Sequence, residues 1–432
     1  MLHVSCARFL PAHAPRTQRT RAPDQKNLTP DRVRQERYNG RCVQAICARY
    51  FVGEVAHIMT DTALLSERIR TYAKEIGFSL VGFAPADDFD EFLEVINNSE
   101  DRYTWWKEGL REPLEWARPT QKVPGTKSLI VLVFDYAQKQ FPPELCEKVG
   151  RIYQSRSYVP RPGNVNFARL DLMHTFLAEQ GIASTDALWL PQRWAGVRAG
   201  LTSFGKNTFA FAPRLGSFIV LNTFLVDVEL EYDQPGPTCT CPENCTLCID
   251  ACPTGAIIEP FKLEPRKCIA FNNWMPGAAT IPREIRPLIG QRIHGCDACQ
   301  EACPRNKGVI ESNKKRSYDS LLEIEKKELT LEQLLHLSPE YYELRVRPIM
   351  YNYIQNMSFF QRNAAVAMGN THDARYIPDL AEELDNENEL VRAHVAWALG
   401  EIGGQEAERL LKKRLEGEED ESVREEISLA LA

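Results

Sequence analysis

No window of this 432-residue chain approaches the roughly 18 consecutive apolar residues of a membrane span, so a transmembrane helix is not expected and no membrane partner is either. No secretory signal pattern opens the sequence, and only four cysteines, Cys6, Cys42, Cys47 and Cys146, lie outside one short segment, which argues against the disulfide framework of a small secreted domain. Basic residues are also in deficit. There are 52 Lys+Arg against 59 Asp+Glu, and the first 58 residues hold ten of the former and four of the latter, so the remainder carries 42 against 55, a net charge of about −13. An acidic body disfavours non-specific nucleic-acid binding while leaving room for a local basic groove. The hydrophobic content of 44% is ample for ordinary cores, and the length suits two to four domains.

What the chain does have is cysteine in one place. Nine of thirteen fall between Cys239 and Cys303, as Cys241-x3-Cys245-x2-Cys248-x3-Cys252-Pro253, then Cys268, then Cys296-x2-Cys299-x3-Cys303-Pro304. A Cys-x2-Cys loop wraps tightly enough to put thiolates on neighbouring irons of one [4Fe-4S] cube, and a further cysteine before Pro points to a second cube. The spacing therefore assigns Cys241, Cys245, Cys248 and Cys303 to one cluster and Cys252, Cys268, Cys296 and Cys299 to another. The first loop opens with three intervening residues where two are usual, Cys268 lies far upstream of its partners, and Cys239 competes with Cys241 for the first position. Zinc is the alternative occupant, but it uses Cys-x2-Cys pairs without a downstream Cys-Pro in both loops. Oxygen-sensitive clusters and unpaired cysteines imply a reducing compartment, and bacterial cytoplasm is the expected location.

The pattern along the chain divides it into five segments. Residues 1–58, rich in Arg, Pro and Gln and without sustained periodicity, read as a disordered or misassigned extension, with translation expected to start at Met59. Over 59–232 amphipathic helices at Thr62–Ile76, Asn166–Gln180 and Leu190–Ala199 alternate with strands at Ser79–Phe83, Ser128–Phe134, Thr208–Phe211 and Phe218–Leu225, an α/β layer architecture. The apolar run Ser128–Phe134 predicts a buried central strand. Residues 233–310 form the double-cluster, ferredoxin-like domain, and 311–345 read as a charged helical connector. In 346–432 the runs beginning at Gln361, Arg392 and Arg424 align at spacings of 31 and 32, a HEAT-like helical repeat that presents a face to a protein partner or buttresses its neighbours.

Asp186-Ala-Leu-Trp-Leu-Pro-Gln-Arg193, Arg198-Ala-Gly-Leu201, Phe204-Gly-Lys-Asn-Thr208, Ala251-Cys-Pro-Thr-Gly-Ala-Ile257, Gly295-Cys-Asp-Ala-Cys-Gln-Glu-Ala-Cys-Pro-Arg-Asn306 and Arg362-Asn-Ala-Ala-Val-Ala-Met-Gly-Asn370 stand in an order that resembles the epoxyqueuosine reductase family over essentially 62–432. The resemblance implies a base-off cobalamin between the α/β and ferredoxin domains, fed with single electrons through the cubes by a ferredoxin- or flavodoxin-type donor. The implied reaction is the reductive opening of an epoxide, with epoxyqueuosine in the tRNA anticodon region as substrate. An acid must protonate the departing oxygen, because an alkoxide leaves poorly at neutral pH. Asp186, fourteen residues before Gly200, falls at the family's catalytic aspartate; its simpler role is to end a strand and cap the next helix. Gly205, Lys206, Asn207 and Thr208 would lie against the corrin, and His174 and His294 are read as packing residues and not as cobalt ligands.

Three departures from the family pattern weigh against tRNA. The usual Tyr-Ala-x-Gly-x-Asp-Tyr-His run is replaced by the sequence from Tyr153 to Asn164; Pro348–Met357 lacks the basic residues of tRNA-acting members; and Gly-Leu-Gly-Trp is Gly200-Leu-Thr-Ser203. Lost cations mean fewer phosphate contacts. An electron-transfer or corrinoid-reactivating protein, or a related reductase with a different substrate, is the competing reading. On either, anaerobically purified protein should contain about eight irons and about one cobalt per chain by elemental analysis, and zinc in place of iron would contradict both.

Overall fold

The computed structural model describes residues 61–104, 112–157, 162–275, 279–350 and 356–432. The proposed extension at 1–58 lies outside them, as do 351–355 of the segment that lacks basic residues and 158–161 of the replaced tyrosine motif. Among the described residues no helix is long and apolar enough to cross a membrane.

A four-stranded sheet forms the first layer, built from β1 (Leu80–Pro85), β2 (Ser128–Asp135), β3 (Ser184–Asp186) and β6 (Ile219–Val226) in the order β1-β2-β6-β3, every pair antiparallel. Two small hairpins, β4 (Ser203–Phe204) with β5 (Ala210–Phe211) and β7 (Ile257–Glu259) with β8 (Lys262–Leu263), lie apart from it. The expected run Ser128–Phe134 is the central β2, and all eight of its residues are buried. Side chains alternate across the pleat, so one face presents Ile130, Leu132 and Phe134 and the other Leu129, Val131 and Val133. The first set packs with Ile69 of helix Asp61–Glu75 and Met173 of helix Val165–Glu179; the second packs with Ala187, Leu190 and Ala195. Helical cover on both faces is why β2 reads as an apolar run from Leu129 to Phe134 even though its neighbours are antiparallel, and why all eight residues of β6 are buried, Asn222 and Thr223 included.

The first of these cores continues from the sheet, through Ile269 and Trp274 of the cluster domain and Leu334 of the connector, into Phe360, Val395 and Ile427 of the tail. The tail contains helices Met357–Gly369, Glu389–Ile402 and Glu421–Leu431, whose first turns are capped by Asn356, Asn388 and Asp420. These caps recur every 32 residues, each side chain accepting a backbone N–H from the turn it opens. Stacked helices alone would leave a polar face, yet here it is occupied by the chain itself. Asn363 Nδ2 donates to the carbonyls of Asn273 and Ile293, both at 2.8 Å, and Asn370 Nδ2 to those of Arg286 and Gly290, both at 2.9 Å. Arg362 Nη2 donates to the Asn272 carbonyl at 2.5 Å, and the Ile281 N–H donates to His394 Nε2 at 3.2 Å. Arg286 closes the set with a forked pair to Glu426. Burial, with Arg286 and Arg362 nearby, holds His394 well below the usual histidine range, so it stays neutral and donates from Nδ1 to the Leu390 carbonyl. All three repeats thus grip the stretch 272–293 that links Cys268 to Cys296, which makes the tail a buttress of the cluster domain.

Asn363→Ala removes two donors from buried carbonyls and is expected to cost about 2–3 kcal/mol, read as a lowered midpoint in anaerobic chemical unfolding. Unchanged stability would show that the repeats do not hold this stretch.

Candidate active site

Five helical elements carry or flank the cysteines. Leu247–Asp250 follows Cys245, and Ala298–Glu301 sits inside the second loop. Cys268 ends the turn Pro265–Lys267 and precedes helix Ile269–Trp274; Cys303 precedes helix Pro304–Asn313. Pro304 takes the first helical position, where its missing N–H is no loss, and leaves Cys303 in extended backbone facing away from its own loop. The cysteines sort into two neighbourhoods. Cys303 lies within electrostatic reach of Cys241 and Cys245, and Cys248 of Cys241, Cys245 and Cys303; Cys299 has Cys252, Cys268 and Cys296 around it. These are the two sets expected from spacing. Cys239 neighbours Cys241, its sulfur accepting the Cys241 N–H at 3.3 Å. Among the described residues no three His, Cys, Asp or Glu side chains gather tightly enough to hold a single ion, as zinc would require, whereas the thiolates of a cube sit on separate irons and stand apart. Burial pushes the Cys268, Cys296 and Cys299 thiols up, Cys296 to about 12. Backbone donors partly oppose this at Cys268, from Phe271 and Ala270, and the Ala256 N–H donates to Cys252 Sγ at 3.2 Å.

The tetrapeptide expected to meet the corrin serves the cluster loops instead, with Thr208 the exception. Lys206 is only 8% exposed, and its ammonium donates to the carbonyls of Pro242, Glu243 and Cys245 at 2.9, 2.5 and 3.0 Å. Asn207 Nδ2 donates to the Cys299 carbonyl at 3.2 Å. Gly205 is required by close approach, since a Cβ would stand 2.4 Å from the Phe211 ring. Thr208 alone reaches the cavity described next, in left-handed backbone (φ +67°), with its carbonyl accepting from Arg193. The reason is local: a loop bent around cysteines turns carbonyls outward, and a buried ammonium with three acceptors is better satisfied there than against a ligand.

Between the second face of the sheet and the cluster loops lies a cavity of about 520 Å³. Its walls are aromatic, including Trp189, Trp194, Phe204, Phe271 and Trp274, and Cys239, Cys268 and Cys296 reach it. Neither His174 nor His294 lines it. His294 is fully buried against Tyr153, with ring centroids 4.2 Å apart, and packs as expected. Sequence reasoning missed the polar floor. Asp297, inside the second Cys-x2-Cys, accepts from the Arg151 backbone N–H at 2.8 Å, from Arg151 Nη1 at 3.1 Å and from Gln300 at 2.8 Å. Gln300 in turn accepts from Ser217, and Asn306 Oδ1 accepts the Ser217 N–H, each at 2.8 Å. Gly216 (φ +62°) makes room, because a Cβ there would lie 2.1 Å from Asn306 Oδ1. Burial raises the Asp297 carboxyl and Arg151 opposes it. The Asp and Arg in Cys-Asp-Ala-Cys and Gly-Arg151 were visible in the sequence, but nothing in their spacing joined them.

Asp186 closes β3 with its carboxylate 3.0 Å from His174 Nε2, while His174 Nδ1 meets Ser184 Oγ at 2.8 Å. Its side chain is 40% exposed and is not among the cavity-lining residues, so the structure does not bring it into the cavity in this conformation. The following segment is: Trp189, Leu190 and Pro191 wall the cavity, and the backbone between is held by the Ala187 N–H on Thr223 and by Gln192 on the Ala187 carbonyl.

Comparison with known proteins matches this arrangement. Residues 240–306 match a 4Fe-4S double cluster binding domain, and residues 360–432 match HEAT repeats. The chain is 32% identical over 383 residues to epoxyqueuosine reductase of Bacillus cereus, covering 86% of this chain and 98% of that one, and 29% identical over 369 residues to that of Escherichia coli, covering 79% and 90%. A solved epoxyqueuosine reductase of Bacillus subtilis, with its catalytic aspartate loop swung out of the active site, superposes with a TM-score of 0.72 at 28% identity, over 85% of this chain and 98% of that one. An epoxyqueuosine reductase solved with an epoxyqueuosine-modified tRNA-Tyr stem loop superposes with a TM-score of 0.67 at 27% identity, over the same shares. The chain, with its double-cluster domain, layered sheet and repeat tail, belongs to the epoxyqueuosine reductase family of iron-sulfur oxidoreductases.

Proposed function

We propose that this protein reduces the epoxide of epoxyqueuosine in tRNA, with the aromatic cavity as the reaction chamber. The observation that carries the reading is that Cys268 and Cys296, from one cysteine set, form part of the cavity wall while the other set lies under the exposed loop Pro242–Asn244. Cys252, Cys268, Cys296 and Cys299 would hold the inner cube, and Cys241, Cys245, Cys248 and Cys303 the outer one. Cys239 is left out of the outer set because it reaches the cavity and not Cys303 or Cys248. A one-electron protein donor of ferredoxin or flavodoxin type would meet the molecule at the exposed loop.

The aromatic lining fits a flat macrocycle, which Trp189, Trp194, Phe204, Phe271 and Trp274 would hold, and among the described residues no histidine lines the cavity. Cobalamin bound there would supply a strongly nucleophilic, reducible metal. Loss of the epoxide oxygen as water takes two electrons and two protons and leaves a carbon-carbon double bond. The protein's own part is to exclude solvent with Trp189, Trp194 and Trp274 and to deliver a proton to the departing oxygen. Asp186 is the proposed acid. His174 holds it turned outward, and a swing of the segment after Asp186, whose Trp189 and Leu190 already border the cavity, would carry the carboxyl inward. The aspartate loop described as swung out in the Bacillus subtilis enzyme supports that motion. The relative solved with a modified stem loop supports tRNA as the substrate, against the chain's acidic balance.

With reconstituted protein and the epoxyqueuosine-modified stem loop, Asp186→Asn should lower turnover by at least about a hundredfold and leave the iron-sulfur absorbance intact, in line with the typical worth of a positioned acid. Activity within a few fold of wild type would remove Asp186 from the mechanism. Lys206→Met withdraws three hydrogen bonds from the outer loop and should reduce bound iron toward half while the inner cube persists. Full iron with weakened cobalamin binding would restore the corrin-contact role instead.

A further inference from the structure

Between β7 and β8 the chain turns through Pro260-Phe261, and Phe261 takes φ +65°. That left-handed region is where glycine or asparagine ordinarily stands at the second central position of a proline-led turn. A phenylalanine held there by its own N–H on the Lys206 carbonyl, at 2.8 Å, is strained backbone presenting a large ring. The ring is 46% exposed and also lines the cavity, so it stands at the mouth. Just beyond, Arg266 and Lys267 are exposed on the turn Pro265–Lys267, which packs against the turn Glu100–Tyr103 carrying Arg102, and Arg193 lines the cavity beside them. Four carboxylates share the area with five cations, Arg102, Arg193, Lys262, Arg266 and Lys267, and two of the four, Glu100 and Asp101, stand on the turn that carries Arg102. Of the other two, Glu259 pairs with Lys262 at 2.7 Å and Glu264 caps the Arg266 N–H, so the rim is positive by one charge on a protein whose body is acidic.

We propose that this rim is the RNA-docking surface: Phe261 stacks on a nucleobase of the single-stranded loop that delivers the target nucleotide, and Arg266 and Lys267 take its phosphates. An exposed ring beside cations suits splayed, unstacked bases and not a duplex, because every base offers a π-face while the paired helix hides its own. The position replaces, on the cluster domain, the cations absent from Pro348–Met357. The inference rests on the tRNA reading above and names the side chains that would carry it.

The test uses full-length reconstituted protein and a fluorescent epoxyqueuosine-modified tRNA-Tyr stem loop, with affinity read by anisotropy across a salt series. Phe261→Ala and Phe261→Gly should each weaken binding about tenfold, the usual consequence of losing one stacked base, while Phe261→Trp retains it and all three keep the iron-sulfur absorbance. Arg266→Gln with Lys267→Gln should flatten the log–log salt slope by about one to two units. Wild-type affinity and slope in all these variants, with turnover intact in the parent, would overturn this inference alone. A parent protein that binds no stem loop would overturn it together with the tRNA reading.

Discussion

Buried hydrogen-bond donors aimed at the carbonyls of the cysteine segment are the constraint on which the rest of this structure depends. A chain that must wrap thiols around inorganic clusters cannot also form regular ladders there, so its carbonyls need partners from elsewhere. They come from both sides. Lys206 and Asn207 reach in from the sheet domain to the two loops, and Arg362, Asn363 and Asn370 reach in from the repeats to the linker between Cys268 and Cys296. The segment is thereby clamped between two layers that share one apolar core, and the cavity is the space the clamp leaves open.

This arrangement separates the roles of the two cysteine sets. The proposed outer set lies beneath the exposed loop Pro242–Asn244, whereas Cys268 and Cys296 of the other set are half-buried and border the aromatic cavity, and burial pushes the Cys268, Cys296 and Cys299 thiols up. Neutral buried thiols and a low-dielectric wall favour the site only once iron replaces the protons, so metal loading and completion of the fold are linked there. Asp186, the proposed acid, stands in contrast at the end of the edge strand β3, half-exposed and paired to His174.

How far this was legible in the sequence follows from how local each feature is. The cysteine loops were readable because each brings two or three thiols within a few residues of one another, and the two Cys-Pro steps mark the member that leaves its own loop. Strand β2 and the amphipathic helices were readable from apolar pattern, and the repeat from its period and recurring caps. The meaning of Arg362-Asn363 was not, because its partners lie 90 and 70 residues away and only the folded chain joins them. Lys206 was misdirected for a related reason: a donor between two possible neighbours, corrin and loop, carries no mark of which one it faces. Of the replaced tyrosine motif, Tyr153 is kept, buried and part of the cavity wall. Phe261 went unnoticed because an aromatic in a turn signals nothing until its backbone angle is known.

The central claim is that one cysteine set places its cluster against a chamber that holds the corrinoid. Crystals of anaerobically reconstituted protein, measured at the iron and cobalt absorption edges, test it directly. The account predicts two compact iron signals, one ringed by Cys252, Cys268, Cys296 and Cys299 and one by Cys241, Cys245, Cys248 and Cys303, with a single cobalt signal inside the aromatic cavity. A cobalt signal elsewhere, or iron at only one of the two sets, would contradict it.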